Sequence, residues 1–287
     1  TPGNKTLFTK SVARTLLAKI YAEKPLRDYA KVIHYCDEVK ADGFDLVEDF
    51  NDLFGMNAAG TDAKMRNTKE SILEAQFTPG AGNWCSWMFG RDLVNWNTNF
   101  TWAKWVTPSR DLINAFKKEG DEVRFKESVV YYDCNWSNYY PSDNYPFMYK
   151  CRSANSSIIK YRYADVLLLK AEALIMQDTP DLDGAADIID EVRERAKLGA
   201  LSASTRSNKN AMLNALLKER RLELAFEGQR WFDLVRLDKV EEVMNAVYSK
   251  DSGRKAQVYA FDKTSYRLPI PQSVIDANDK IHQNPGY

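Results

Sequence analysis

Indole and phenol rings alternate with side-chain amides and hydroxyls in two stretches of the chain, 83–102 and 135–145. Aromatic faces can stack on the apolar C–H side of a sugar ring, while amides hydrogen-bond its hydroxyl groups. This pattern predicts a carbohydrate site, most sharply at Trp96, where asparagines flank a large ring on both sides. The alternative is that these rings form a packed core. The predicted ligand-binding residues are Trp84, Trp87, Trp96, Asn97, Trp102, Tyr139 and Tyr140.

A second group of side chains that could take part in acid–base chemistry lies in the run 219–236. Acidic residues and arginines are frequent there in an otherwise apolar sequence. Acid–base catalysis would need two carboxylates in a cleft with their pKa values pushed apart. Arginines hold nearby carboxylates ionised, and buried charges must be paired. We therefore predict an ion-pair network that locks two helices together, and no catalytic residue. The charged residues are Glu219, Arg220, Arg221, Glu223, Glu227, Arg230, Asp233 and Arg236.

Metal ligands are sparse in this sequence. The two histidines and four cysteines form neither a CxxC pair nor another zinc-ligand spacing. Buried thiols are the expected state of the cysteines, with a Cys134–Cys151 disulfide as the alternative. The acidic run 178–184 lacks the bidentate glutamate of a calcium loop and is predicted to be a turn that leads into a helix. We predict no metal and no cofactor.

Composition excludes other classes of function. The chain has 287 residues with 40 basic and 40 acidic side chains, so its formal net charge is zero. Nucleic-acid binding is not expected, because the basic excess that holds a phosphate backbone is missing. No apolar run approaches the roughly 20 residues that span a bilayer. With 44% hydrophobic and 28% charged residues, the composition is typical of a folded globular protein.

The elements that would position these residues are helical hairpins. Apolar side chains recur at three- and four-residue spacing over residues 6–41, with a break before Pro25. The apolar side of the first helix includes Leu16 and Ile20, and the second helix is expected to bury Ala30. Small residues at Ala18 and Ala30, on either side of a tyrosine, match the spacing of tetratricopeptide hairpins.

A second hairpin is predicted over 160–176 and 184–197, followed by a buried helix over 208–226. Between the two hairpins, residues 84–149 hold 17 of the 35 aromatic residues and read as loops, with one helix over 108–118 capped by Ser109. The predicted fold is therefore mainly α, with tetratricopeptide-like hairpins and a large loop-rich aromatic insertion. The predicted domains are a hairpin at 1–50, the insertion at 51–150 and a helical region at 151–287.

The run Glu219–Arg236, ERRLELAFEGQRWFDLVR, closely resembles the signature of the SusD/RagB family. The resemblance continues in Arg162–Val166, in Val192–Ala196, and in the tail, where Pro269-Ile270-Pro271 precedes Gln283–Tyr287. It covers residues 160–287 tightly and 6–50 loosely. It implies a surface-exposed, glycan-binding lipoprotein of the outer membrane of Bacteroidetes, with its site on loops of a repeat scaffold. It also implies a SusC-like TonB-dependent transporter as partner.

Family members run to about twice this length and carry a lipid-bearing cysteine near the start. This chain is therefore expected to be a C-terminal portion, with its lipid anchor outside it. By this resemblance the protein is not an enzyme. Two alternatives stay open, a glycoside hydrolase with two carboxylates flanking the scissile bond and a scaffold that only docks onto a partner protein.

Overall fold

A computed structural model describes residues 3–78, 106–251 and 256–287. The described part of the chain is mainly helical, which confirms the predicted fold class. It divides into two compact units, Thr1–Arg230 and Trp231–Tyr287. The first unit contains helices α1 (Lys10–Ala22), α2 (Tyr29–Ala41), α3 (Asn51–Phe54), α4 (Arg110–Glu119), α5 (Glu122–Ser128), α6 (Tyr163–Met176), α7 (Leu182–Arg195), α8 (Ala203–Arg206) and α9 (Lys209–Glu223). Its strands are β1 (Ser71–Ala75), β2 (Val129–Tyr132), β3 (Tyr145–Met148) and β4 (Ile158–Arg162).

Helices α1 and α2 form the first predicted hairpin. The Thr9 side chain accepts a hydrogen bond from the Val12 N–H and caps α1, and Asp28 caps α2 in the same way. The prediction of which side chains these two helices bury was partly wrong. Ala18 is fully buried, but Ala30 is exposed, and Leu16 and Ile20 keep 44% and 41% of their surface in solvent. The buried residues of α1 are mostly small instead: Ser11, Val12, Thr15, Ala18 and Ala22.

Helix α6 is the centre of the first unit, where it packs against α1, α2, α7 and α9. Its sides are buried nearly all round, so the prediction of a single apolar side was wrong; a helix that is apolar around its circumference belongs in a core. Helix α7 follows after a turn in which the Asp181 carboxylate accepts from the Gly184 N–H. This cap confirms that the acidic run 178–184 leads into a helix.

The predicted start of α6 at residue 160 was also wrong. Residues 158–162 form β4, which pairs antiparallel with β1 in the register Ser71 to Arg162 and Ala75 to Ile158. The β-branched pair Ile158 and Ile159 favours a strand, and the pairing with a distant segment overrides the helical pattern that follows. As a result, Arg162 at the end of β4 enters the protein interior, where it is 1% exposed.

Two other helices match the sequence closely. Helix α4 has the predicted Ser109 cap, with its hydroxyl accepting from the Leu112 N–H, and ends at Gly120, whose φ of +71° favours glycine. Helix α9 is capped by Asn208 and stops at Glu223, three residues before the predicted end. Phe226 lies beyond the end of α9, with φ at +65°, and is half-buried. The prediction that it is a buried residue of this helix was therefore wrong.

The second unit, Trp231–Tyr287, is made of short helices and irregular segments. Helix α10 (Arg230–Arg236) begins at the unit boundary, and α11 (Val240–Lys250), a 3₁₀ turn (Lys263–Tyr266) and α12 (Gln272–Asp276) follow. Side-chain amides organise its irregular segments. The Asn245 amide exchanges two hydrogen bonds with the Phe261 backbone, and the Gln283 amide does the same with Ile270. Among the described residues of the chain, every helix is too short or too polar to cross a bilayer.

Candidate functional site

Strands β2 and β3, with the loop 133–144 between them, form a two-stranded antiparallel sheet that we name the aromatic hairpin, residues 129–148. Val129 pairs with Met148 and Tyr132 pairs with Tyr145. The strands are rich in valine and aromatic residues, which favour extended structure, and the loop is rich in asparagine, serine and aspartate, which favour turns. The hairpin thus joins a loop that contains many polar residues to two strands that contain many aromatic residues.

The base of the aromatic hairpin is a small core of its own. Tyr145 and Phe147 are each 1% exposed, with ring centroids 5.3 Å apart, and Cys134 is 2% exposed beside them. Trp136 packs on this core with its ring 6.2 Å from that of Phe147. For these rings the packing role, which was the alternative at the sequence level, is the one observed.

Tyr139 and Tyr140, both predicted as ligand-binding residues, lie side by side above this core. Their rings meet edge to face at 5.0 Å, and Tyr140 in turn meets Tyr145 at 5.6 Å. The Tyr140 hydroxyl donates a 2.7 Å hydrogen bond to the Pro108 carbonyl. Both tyrosines are half-buried. They are therefore held in fixed orientations and remain partly exposed to solvent.

Arg110, in the first turn of α4, completes this arrangement. Its guanidinium carbon lies 4.5 Å from the Tyr139 ring centre and 4.1 Å from that of Tyr140, and it donates a hydrogen bond to the Tyr139 carbonyl. Sequence reasoning missed this residue, because nothing in the spacing links positions 110 and 139. One signal was available: a cation in the first turn of a helix opposes the helix dipole, which indicates that another contact holds it there.

The tyrosines and Arg110 border an open depression of about 800 Å³ on the loop, which we name the hairpin depression. Side-chain amides and hydroxyls line it together with Cys134, Trp136 and Pro141, so it combines aromatic surface with hydrogen-bond donors and acceptors. Its lining includes Arg110, Asn135, Ser137, Asn138, Tyr139, Tyr140 and Ser142.

The other predicted ligand-binding residues, Trp84, Trp87, Trp96, Asn97 and Trp102, lie outside the described residues. Their part in a site stays a prediction.

Within the part of the chain that the structure describes, the cysteines and acidic residues are not grouped around a common point. In the described ranges, no group of three or more histidine, cysteine, aspartate or glutamate side chains is placed to hold a metal. Cys36, Cys134 and Cys151 are all buried, as the sequence predicts for thiols. Burial raises the pKa of the Cys36 thiol above its ordinary value, so this sulfur stays protonated and unreactive at neutral pH.

The charged run beginning at Glu219 forms the predicted buried ion-pair network. Glu223 is fully buried and accepts from Arg124 at 3.0 Å, from Arg162 at 2.5 Å and from Arg195. Glu219 pairs with Arg124 at 2.6 Å. This network ties α9 to α5, α7 and β4, partners that the sequence did not predict.

Four other members of the run also form ion pairs. Arg220 pairs with the buried Asp165 of α6 at 2.8 Å, and Arg221 with Asp111 of α4 at 2.6 Å. Asp233 and Arg236 pair with each other at 2.9 Å within α10.

Burial and charge act in opposite directions on these carboxyls. Burial alone would raise the pKa of Glu223, but the guanidinium groups of Arg195, Arg162 and Arg124 outweigh it and hold that pKa well below its usual range. For Glu219 burial dominates and raises the pKa despite Arg124. The two shifts differ in sign, as in an acid–base pair, yet both side chains are fully buried in the unit's interior. A substrate cannot reach them, so the geometry supports a structural role.

Acid should unfold the protein as these carboxylates take up protons. In the folded state the pKa values of Glu223, Glu227 and Asp165 lie below their ordinary values, because neighbouring cations outweigh burial. Their stabilisation is therefore complete above the unfolded-state pKa of about 4 and is lost as the pH falls below it. The raised pKa of Glu219 acts in the opposite sense and makes the fall of stability with pH less steep. We expect the urea midpoint to fall steeply below pH 4; a midpoint constant from pH 6 to pH 3 would contradict this.

Comparison with known families identifies the second half of the chain. Residues 144–287 match the model of the SusD family, and they make up half of the 287 residues. This range includes β3 of the aromatic hairpin, the charged run and the tail motif predicted from the sequence.

Two relatives extend the match. SusD-like protein P2 of Formosa agariphila is 33% identical over 142 residues, which cover 47% of this chain and 27% of the relative. A SusD-like protein of Bacteroides ovatus is 27% identical over 275 residues, covering 81% of this chain and 46% of the relative. The chain thus spans less than half the length of these relatives.

Solved structures share the fold. A SusD superfamily protein from Parabacteroides distasonis superposes with a TM-score of 0.74 at 23% identity, covering 98% of this chain and 64% of that one. Surface glycan-binding protein A from Bacteroides thetaiotaomicron, in complex with laminarihexaose, gives a TM-score of 0.73 at 19% identity, covering 99% and 65%. The family match, the relatives and the shared fold agree with the sequence motifs: the chain belongs to the SusD family.

Proposed function

We propose that this chain is part of a non-catalytic cell-surface protein that binds oligosaccharide or polysaccharide and passes it to a TonB-dependent transporter of the SusC type. The observation that carries the proposal is the hairpin depression, where Tyr139, Tyr140 and Arg110 border a concave surface lined by amides and hydroxyls. A protein of the SusD family with such a surface has the elements that sugar recognition needs.

A sugar ring would meet this surface in two ways. The exposed parts of the Tyr139 and Tyr140 rings can contact the C–H groups of a sugar. The two ring planes are nearly perpendicular, at 89°, so a sugar ring can pack against them in two orientations. Asn135, Asn138 and the Arg110 guanidinium provide hydrogen-bond partners for hydroxyl groups. Because the packed core of the aromatic hairpin fixes the tyrosines, little side-chain entropy is lost on binding.

The names of two structural relatives guide the choice of ligand to test. One is a laminarin-binding SusD-like protein and the other was solved with laminarihexaose. Both are under 25% identical to this chain, so laminarin is one member of the test panel and not the assigned ligand.

Retention on a panel of immobilised polysaccharides, followed by analysis of soluble products, tests the proposal against its alternatives. Retention without released products supports a binding protein. Products would indicate a glycoside hydrolase, and neither retention nor products would indicate a docking scaffold. Because the chain spans only part of its relatives, the full-length protein should be measured beside it.

The cell location and the transporter partner follow the same proposal. The mature protein would sit on the outer membrane through a lipid anchor outside this chain. Co-purification of a TonB-dependent transporter with the full-length protein from its native membrane would support the delivery role, and its repeated absence would oppose it.

Replacing Trp96 with alanine should weaken glycan binding at least tenfold and leave the melting temperature within a few degrees of wild type. A stacked ring at a binding hot spot contributes about 2 kcal/mol or more, which exceeds a factor of ten in affinity. Tyr259→Ala is the matched control, because Tyr259 is an aromatic residue that is 84% exposed outside the proposed site. Unfolding of the Trp96→Ala variant would show that this ring belongs to a core.

A further inference from the structure

A second cavity of the protein is separate from the hairpin depression. It has a volume of about 260 Å³ and shares no lining residue with the hairpin depression. Its walls are largely apolar and come from β4 and the segments beside it. The apolar lining residues are Phe54, Val106, Met148, Ile158, Ile159 and Phe226. We name this cavity the Lys150 pocket.

Two charged side chains of the pocket form a buried ion pair. The Lys150 ammonium donates to a Glu227 carboxylate oxygen at 2.5 Å and to the Glu223 carbonyl at 2.8 Å. Both Lys150 and Glu227 line the pocket, and their side chains are only 4% and 10% exposed. The Phe54 and Phe50 rings lie 4.8 Å and 5.2 Å from the Lys150 nitrogen, so its surroundings are of low polarity.

Lys150 can lose its proton without leaving Glu227 unpaired. Arg162 donates to both oxygens of that carboxylate, at 2.7 Å and 2.8 Å, and compensates its charge independently of Lys150. Burial, with Arg162 assisting, lowers the pKa of Lys150 to about 8 although Glu227 and Glu223 act against it. A desolvated amine of this kind is a nucleophile near neutral pH.

We propose that the Lys150 pocket is a covalent binding site for a small aldehyde with an apolar body, which Lys150 captures as an imine. Size supports this class of ligand: a cavity of about 150 Å³ accommodates benzene, so 260 Å³ accommodates a substituted ring but not an oligosaccharide. The apolar walls receive the body of the aldehyde, and its carbonyl carbon faces the amine.

The reaction conserves charge at the site. The neutral Lys150 nitrogen attacks the carbonyl carbon, a carbon–nitrogen bond forms, and the carbonyl oxygen leaves as water with both amine hydrogens. Uptake of the proton that the ammonium had released gives an iminium. Overall, ammonium and aldehyde become iminium and water, so one positive charge remains beside the Glu227 carboxylate.

Reductive labelling of the whole chain with benzaldehyde and sodium cyanoborohydride tests this proposal. Peptide mapping would give the labelling rate of each lysine at pH 7.5. Lys150 should be labelled at least tenfold faster than Lys209, which is exposed. Benzyl alcohol, which has the same ring and no carbonyl, should slow the labelling of Lys150 and leave that of Lys209 unchanged.

Lys5 is the matched internal control. It is 2% exposed, lies over the Phe44 ring at 4.3 Å, and burial lowers its pKa, but it does not line the Lys150 pocket. Slow labelling of Lys5 beside fast labelling of Lys150 supports pocket-directed capture. The proposal is overturned if Lys150 reacts no faster than Lys209, if benzyl alcohol has no effect, or if Lys5 and Lys150 react together as the fold opens.

Discussion

Replacing Glu223 with alanine is expected to lower the free energy of unfolding by about 3–5 kcal/mol, because it leaves buried guanidinium groups without their carboxylate. Glu223 is the shared partner of Arg124, Arg162 and Arg195, and each of these side chains is at most 5% exposed. Removing one acid therefore disturbs three cations from different elements. Urea unfolding of the wild type and the variant at pH 7 measures the difference.

Lys218→Ala on the same helix is the control for the Glu223 experiment. Lys218 pairs with Glu119 at 2.5 Å but is 44% exposed, so its loss should cost no more than about 1 kcal/mol. Glu223→Gln keeps the shape of the side chain and two hydrogen-bonding atoms. Its loss of unfolding free energy should therefore lie between those of Glu223→Ala and Lys218→Ala. A Glu223→Ala variant as stable as Lys218→Ala would show that the network does not hold the fold together.

Replacing Leu217 with alanine is expected to cost about 2–5 kcal/mol, since it creates a cavity in a packed interior. Leu217 lies on α9 and is 6% exposed. Leu16→Ala on α1 makes the same change of side chain within a helix, but Leu16 is 44% exposed and should lose less than about 1 kcal/mol. Equal midpoints for the two variants in denaturant would contradict the burial described for both helices.

The helices could be predicted from the sequence wherever local signals agree. Helix α4 is an example: the Ser109 cap, the apolar spacing and the glycine at residue 120 all lie within one short segment. Strand β4 was missed because its evidence is not local. Its partner β1 lies far away in the chain, and the short run 158–162 reads equally well as the start of the helix that follows.

The candidate site was predictable in residue type but not in arrangement. The tyrosine and amide content of the aromatic hairpin is visible in the sequence, whereas Arg110 reaches Tyr139 across 29 positions through the packing of α4. The ion-pair network shows the same limit. The sequence indicates that the acids of the run 219–236 need cations, but Arg124 is 95 residues from Glu219, so only the fold pairs them.

The affinity of a retained oligosaccharide for the Tyr139→Ala and Glu223→Gln variants, measured by isothermal titration calorimetry, most directly tests whether ligand binding resides in the aromatic hairpin. Tyr139→Ala should weaken binding at least tenfold and lower the melting temperature by only a few degrees, because it removes a half-buried ring that borders the hairpin depression. Glu223→Gln should keep the wild-type affinity in its folded molecules at a reduced melting temperature. Full affinity of Tyr139→Ala beside a loss of affinity in Glu223→Gln would contradict the account.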